Sequence, residues 1–165
     1  MNKHSQLIAQ STISTPLGDM TAAATAAGLA GLWFDGQTHH PGPLDAPNDA
    51  SQRWRAAAAE AMAAYFAGRP LPEVPLDLHG TPFQQAVWRA LRAIGPGRTS
   101  TYAAIAGQAG SPAAVRAAGA AIGRNPVSIL VPCHRVIGAD GSLTGYAGGL
   151  HRKRALLQLE GSLLV

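Results

Sequence analysis

The sequence predicts an α+β protein: a small N-terminal α/β domain of strands plus a helix, followed by a helical, winged-helix-like C-terminal domain. Three observations support this prediction. β-prone runs separated by turns fill the first fifty residues, a proline-spaced segment interrupts the middle of the chain, and short helical patterns joined by a glycine turn follow it. A chain of 165 residues suffices for one domain or two small ones.

The N-terminal domain is predicted to begin with strands. Ser14–Asp19 is typical of a turn between two β-prone runs, and Leu29–Phe34 is predicted to form a further strand. The three prolines between Gly36 and Asn48 indicate a loop.

A helix is predicted from Ser51 to about Ala67. Its apolar residues recur at helical spacing, and Gly68 and Pro70 end it. The following segment, about 68–80, has regularly spaced prolines and is predicted to be an extended linker. We therefore predict an N-terminal domain of residues 1–80 and a C-terminal domain of residues 81–165.

The C-terminal domain is predicted to open with a capped helix. Thr81 is the N-cap, Pro82 occupies the first position and Gln84 reaches back to the cap. The apolar stripe of this helix consists of Phe83, Val87, Leu91 and Ile94.

Two further short helices are predicted after it, at Tyr102–Ala109 and from Ser111 to about Ile122, with a glycine turn at Gly110. This outline is that of a helix-turn-helix, although many helix pairs bind no DNA. The second of these helices is rich in alanine and glycine, and Arg116 and Arg124 are its only charges. It lacks the side chains that read base edges, so a DNA contact would depend on shape and backbone.

The charge is distributed unevenly along the chain. Residues 1–80 have a net charge of −3 and residues 81–165 a net charge of +7. Such asymmetry indicates either a polyanionic partner for the C-terminal half or ordinary surface solvation.

Several protein classes are disfavoured by composition. The single cysteine excludes an internal disulfide, and the sequence has neither a Cys/His cluster at zinc spacing nor a secretory or membrane-spanning segment. We predict a cytoplasmic protein without metal, cofactor or membrane partner.

The single cysteine, Cys133, follows the apolar run Val127–Val131, which is predicted to be a buried strand that ends at Pro132. A lone cysteine is commonly a small buried hydrophobe. A reactive thiol instead needs a nearby histidine or positive charge to lower its pKa. His134 and Arg135 could supply these, provided that the chain turns after Pro132.

A carboxylate could orient His134. The helix Leu150–Glu160 is predicted to bury a stripe that would turn Glu160 inward. The predicted stripe is Ala155, Leu156, Leu159 and Leu163. An exposed carboxylate at a helix end is the alternative.

The motif Pro132–Gly138, preceded by Asn125-Pro126 and followed by Tyr146–Gly149, resembles the O6-alkylguanine-DNA alkyltransferase family. The resemblance is close over residues 81–160 and looser over most of the remaining chain. It implies DNA repair by direct reversal: irreversible, stoichiometric transfer of a methyl or alkyl group from O6-alkylguanine to Cys133 by a single-turnover methyltransferase. O4-alkylthymine is a second candidate substrate.

The resemblance also implies roles for individual residues. Cys133 would accept the alkyl group as a thiolate exposed in a pocket, and His134 would take its proton through water. Glu160 would orient His134, Asn125 would stabilise the turn before the active site, and Tyr102 would help the guanine to leave. The implied partner is double-stranded DNA that contains alkylated bases, bound by a monomer that could assemble cooperatively.

The family pattern implies a DNA surface and a base pocket. Arg116 would fill the gap that the flipped base leaves in the duplex. The predicted DNA-binding residues are Arg116, Arg124, Arg135, Ala117, Gly119, Ala120, Ser111 and Thr101. The predicted pocket residues are Tyr102, Ile122, Val136, Tyr146, Ala147 and Gly148.

Two other functions remain open on the sequence. The chain could be a non-catalytic sensor of alkylated DNA or a DNA-binding regulator, in which Cys133 only lines a pocket. It could also be a cysteine hydrolase that uses Cys133 and His134, although no oxyanion motif is evident.

Overall fold

The computed structural model describes residues 6–163, so the termini of the two predicted domains, 1–5 and 164–165, lie outside the described residues. The chain forms two compact units, one ending at His79 and the other beginning at Gly80. The predicted α+β class is confirmed, with three strands and a helix in the described part of the first unit and a mainly helical second unit.

The N-terminal unit contains a three-stranded antiparallel sheet, β1 (Ala9–Ile13), β2 (Met20–Ala24) and β3 (Leu29–Phe34), in the order β1-β2-β3. Helix α1 (Arg53–Phe66) packs on this sheet. The strand β3 coincides with its prediction. Helix α1 is shorter than predicted at its start, because the side chain of Gln52 accepts hydrogen bonds from the first free backbone N–H groups and thereby caps the helix.

The predicted linker is not a free segment. Leu29 N–H donates to Pro75 O at 2.8 Å, and Asp77 N–H donates to Leu29 O at 2.8 Å, so this stretch pairs in parallel with the start of β3. Gly28 permits this approach, since a Cβ there would lie 2.7 Å from Pro75 O. Residues 75–77 of the predicted linker are therefore held against the sheet.

The C-terminal unit contains helices α2 (Pro82–Arg92), α3 (Tyr102–Gln108), α4 (Val115–Gly123) and α5 (Leu150–Leu159). Strand β4 (Ser100–Thr101) pairs in parallel with β5 (Val136–Ile137). Helices α2, α3 and α4 pack against one another, and α3 and α4 form the predicted helix-turn-helix.

Helix α2 begins as predicted. The side chains of Thr81 and Gln84 exchange hydrogen bonds with each other's backbone N–H groups at 3.1 and 3.0 Å, which completes a capping box. Farther along α2, the buried Trp88 indole donates to Ala121 O of α4 at 2.9 Å. This bond fixes α2 against the helix-turn-helix.

Helix α4 starts at Val115 and not at the predicted Ser111, because Ser111 belongs to the end of α3. Its N–H donates to Ala106 O at 3.0 Å, while Gly110, with a φ of +86°, donates to Gly107 O at 3.0 Å. This pair of bonds is a Schellman motif, which requires a left-handed residue and therefore favours glycine.

The prediction of a strand at Val127–Val131 is wrong. This segment is a buried turn in which Val131 N–H donates to Val127 O at 3.0 Å. Ile129, which is only 1% exposed, adopts a φ of +72°. A β-branched residue is strained in this left-handed region, so the surrounding contacts must enforce the turn.

The predicted apolar stripe of α5 is partly wrong. Leu156 is buried, but Leu159 is 45% exposed, and the buried face is formed by Lys153, Leu156 and Leu157. The sequence suggested a face of aliphatic residues only, whereas a lysine occupies the buried position one turn before Leu156 and Leu157. None of the helices within residues 6–163 combines the length and apolar character required to cross a bilayer.

Candidate active site

Cys133 begins a one-turn 3-10 helix, Cys133–Arg135, that leads directly into β5. The preceding buried turn is organised by Asn125. Its side-chain amide donates to Val131 O at 2.7 Å and to Cys133 Sγ at 3.1 Å, and its carbonyl accepts from Val127 N–H at 3.0 Å. A single amide therefore fixes both ends of the strained turn and touches the sulfur itself.

The structure contradicts the expectation that Cys133 is an exposed thiolate. The residue is only 6% exposed, and burial raises the pKa of its thiol above the usual value. The hydrogen bond from Asn125 and the positive charge of Lys153 oppose this shift without overcoming it. The resting sulfur is accordingly a protonated thiol, and a base must remove its proton when it reacts.

His134 is fully buried, and its two ring nitrogens have different environments. Nε2 lies 2.7 Å from Glu160 Oε2, whereas Nδ1 is buried without a hydrogen-bond partner. Burial lowers the pKa of His134, an effect that the neighbouring Glu160 only partly offsets. Because an ionised carboxylate can only accept, the neutral ring carries its proton on Nε2 and presents a free lone pair at Nδ1.

Arg135 does not lie on an exposed DNA-binding surface, so that prediction is wrong. The residue is 6% exposed, and its guanidinium donates to both Glu160 oxygens, from Nε at 2.8 Å and from Nη2 at 3.1 Å. Its Nη1 donates to Ile94 O at 2.5 Å. All three guanidinium nitrogens therefore have partners inside the protein: Nε and Nη2 bind the carboxylate that also holds His134, and Nη1 binds a backbone carbonyl.

Lys153 is a residue of the site that the sequence pattern did not predict. It is fully buried, and its ammonium donates to Val136 O at 2.5 Å and Thr144 O at 2.8 Å, with Gly145 O at 3.5 Å. Burial lowers its pKa to about 8. Its spacing is the signal that could have revealed it: positions 153, 156, 157 and 160 lie on one face of a helix, and Glu160 is predicted to point inward from that face.

Tyr102 joins the helix-turn-helix to the loop after β5. Its hydroxyl lies 2.8 Å from Thr144 Oγ1 and 3.5 Å from Gly145 O. Its ring lies close to Gly119 of α4, where an added Cβ would be 3.7 Å from Tyr102 Cδ1. Tyr102 is half-buried, so part of the residue remains accessible to a ligand.

The other predicted pocket residues differ in burial. Ile122, Val136 and Gly148 are buried, whereas Ala147 is partly exposed. The ring of Tyr146 packs edge-on to His134 with centroids 6.5 Å apart. Burial raises the pKa of the Tyr146 hydroxyl well above its usual value, so this group stays neutral.

The outer face of α4 combines small and basic residues. Arg116, Ala117, Ala120 and Arg124 are exposed, and Gly119 is partly exposed. Ser111 and Thr101 are half-buried, and each makes a hydrogen bond that caps one end of α3. Ser111 closes its C-terminus, while Thr101 caps its N-terminus by accepting from Ala104 N–H at 3.2 Å.

The chemistry of the site is that of a soft nucleophile with a base. The part of the chain that the structure describes contains no group of three or more His, Cys, Asp or Glu residues arranged to hold a metal ion. The side chains described above can deprotonate a thiol, balance the resulting imidazolium and donate hydrogen bonds to a ligand.

Comparisons with known proteins agree with this description. Residues 82–162 match the family model described as 6-O-methylguanine DNA methyltransferase, DNA binding domain. The methylated-DNA–protein-cysteine methyltransferase of Mycobacterium tuberculosis is 49% identical over 152 residues, which cover 92% of this chain and 91% of the relative. The Salmonella typhimurium protein of the same name is 53% identical over 109 residues, covering 65% and 64%.

Solved structures of related proteins have the same fold. A crystal structure of Mycobacterium tuberculosis OGT in complex with DNA superposes with a TM-score of 0.85 at 47% sequence identity and covers 94% of each chain. A methyltransferase of Pyrococcus kodakaraensis, 22% identical, shares the fold with a TM-score of 0.53.

The shared carboxylate gives a stability prediction. Replacing Glu160 by Gln keeps its shape but leaves the buried Arg135 without its counter-charge, so we expect a loss of about 3 kcal/mol in the free energy of unfolding. Glu60→Gln, at an exposed position of α1, is the matched control and should change stability by less than about 0.5 kcal/mol. Urea denaturation measures both, and equal stability of the two variants would contradict the role of Glu160.

Proposed function

The chain belongs to the methylated-DNA–protein-cysteine methyltransferase family, and on that basis we propose how its residues carry out each step of the transfer. Its function is DNA repair by direct reversal: an alkyl group moves from O6-alkylguanine in DNA to a cysteine of the protein. Cys133 is the only cysteine in the sequence, so it is the acceptor. The observation that carries the mechanism is the buried Nδ1 of His134, which has no hydrogen-bond partner and belongs to the residue that follows a thiol that is protonated at rest.

Deprotonation is the first step of the proposed mechanism. His134 Nδ1 takes the thiol proton through a bridging water, and the imidazolium so formed is balanced by Glu160, which already accepts from Nε2. Asn125 donates a hydrogen bond to the sulfur and stabilises the thiolate while it forms. In this arrangement the thiolate forms only during the reaction and not in the resting protein.

Alkyl transfer follows by displacement at carbon. The thiolate sulfur bonds to the alkyl carbon while the carbon–O6 bond breaks and its electron pair stays on the guanine. Tyr102 gives its proton to the departing guanine. Tyr102 then regains a proton from solvent and His134 releases one to solvent, so that the thiol proton is in effect transferred to guanine and no net charge is created.

Access to the base requires that the alkylated nucleotide leave the stack, which costs a few kcal/mol. The exposed small residues of α4 let this helix approach DNA closely, and Arg116 extends from it as a long cationic side chain that can occupy the vacated space. The flipped base would enter beside Tyr102 and the loop 145–148. Val136, Ile122 and Tyr146 would form the walls of its pocket.

The reaction is expected to occur once per protein chain. Its product is a thioether at Cys133, which water does not readily cleave, and the chain has no second cysteine to accept the group. The protein is therefore a reactant that each repair event consumes. We also propose that the protein acts in the cytoplasm, as the sequence predicts.

Stoichiometry tests this proposal. With excess duplex that carries radiolabelled O6-methylguanine, label should accumulate on the protein to one methyl group per chain and then stop, while Cys133→Ser should acquire none. Continued removal of label beyond one equivalent would indicate a hydrolase. Binding of the duplex without any transfer would indicate a non-catalytic sensor.

The proposed role of Arg116 is tested by comparing substrates. Arg116→Ala should slow transfer from duplex DNA by roughly tenfold, because the cost of base flipping is no longer offset, and should leave the reaction with free O6-alkylguanine base within about twofold. Arg92→Ala, which removes an exposed arginine from α2, controls for the lost charge. Equal losses on duplex and free base would refute the role.

A further inference from the structure

Thr144 lies where three parts of the site meet, and no step described above uses its side chain. Its Oγ1 is 2.8 Å from the hydroxyl of Tyr102, and its backbone carbonyl accepts from the ammonium of Lys153 at 2.8 Å. The same ammonium binds Val136 O at 2.5 Å, on the strand that follows the reactive cysteine. Thr144 therefore connects the proposed proton donor to the interior of the site.

Lys153 fixes the position of Thr144. The lysine is fully buried, and the three backbone carbonyls within hydrogen-bond reach, Val136 O, Thr144 O and Gly145 O, tie the loop to β5. Because a buried ammonium requires such acceptors, the loop cannot move away without leaving the charge unsatisfied. The threonine hydroxyl is therefore held opposite Tyr102 before substrate arrives.

The chemistry of the transfer makes this contact important. When Tyr102 gives its proton to the departing guanine, negative charge develops on its phenolic oxygen. A hydroxyl that donates to this oxygen forms a charge-assisted hydrogen bond, which is stronger than the neutral bond present at rest. Thr144 O–H can donate in this way and keeps its own proton throughout, so no additional proton carrier is needed.

We propose that Thr144 is a positioning residue for alkyl transfer, which holds the Tyr102 hydroxyl in place and donates a hydrogen bond to its oxygen as the guanine leaves. The proposal rests on the role of Tyr102 in the proposed function. It adds that the donor strength of Tyr102 depends on a side chain of the loop after β5, anchored by Lys153.

Two substitutions at this position separate the hydroxyl from the shape of the side chain. Thr144→Val has nearly the same shape but no hydroxyl, whereas Thr144→Ser keeps the hydroxyl and loses a methyl group. The measurement is the single-turnover rate of methyl transfer at saturating duplex DNA, together with the dissociation constant for the duplex. Thermal unfolding verifies that each variant is folded, and Thr144→Ala replaces the valine variant if that one is not.

We expect Thr144→Val to slow the saturated rate roughly tenfold, the size of one hydrogen bond to a charged group. Thr144→Ser should stay within about twofold of the unmodified protein, and the affinity for duplex should be unchanged in both. A serine variant as slow as the valine variant would overturn the proposal, because the hydroxyl would then not be the important group. An unchanged rate in Thr144→Val would overturn it as well.

A double-mutant cycle with Tyr102→Phe distinguishes a positioning role from a general structural one. If Thr144 acts through Tyr102, adding Thr144→Val to Tyr102→Phe should cause no further loss beyond about twofold. A further tenfold loss in the double variant would overturn the proposal while leaving the role of Tyr102 intact. If Tyr102→Phe alone reacts at the normal rate, the proton-donor role in the proposed function fails, and the Thr144 proposal fails with it.

Discussion

The carboxylate of Glu160 is the contact on which the site depends. It is almost completely removed from water and accepts hydrogen bonds from His134 and Arg135, which come from the 3-10 helix that begins at Cys133. A buried carboxylate needs such partners, and a buried guanidinium needs a counter-charge. These requirements together fix the end of α5 against the reactive segment. They also decide which imidazole nitrogen is left free.

The resting state keeps the nucleophile inactive, because burial disfavours charge on both Cys133 and His134. A protonated thiol and a neutral imidazole cost less in this environment than a thiolate–imidazolium pair would. The strained turn at Ile129 and the amide of Asn125 hold the sulfur in place without ionising it. Reaction thus requires an alkyl carbon close enough for the sulfur to bond to it as the thiol loses its proton.

The sequence predicted features that depend on local chemistry. The capping box at Thr81, strand β3, the helix-turn-helix and the helix ending beside Glu160 all arise from side chains within a few residues of one another. The sequence-based predictions were wrong where contacts with residues distant in sequence determine the structure. The sequence predicts Arg135 among the DNA-binding residues, but Glu160, 25 residues later, holds its guanidinium inside the protein. The buried position of Lys153 is not evident from the sequence, because its carbonyl partners come from two other segments. The apolar run before Cys133 favours a strand in the sequence, although tertiary contacts force a turn.

The protonation of His134 is the most direct test of the account. Nitrogen-15 NMR of the free protein at neutral pH distinguishes a protonated from an unprotonated ring nitrogen. A neutral ring with its hydrogen on Nε2 and a bare Nδ1 is the expected result, since Glu160 accepts from Nε2 and burial disfavours the cation. A resting imidazolium, or a neutral ring with its hydrogen on Nδ1, would mean that His134 cannot take the thiol proton as described.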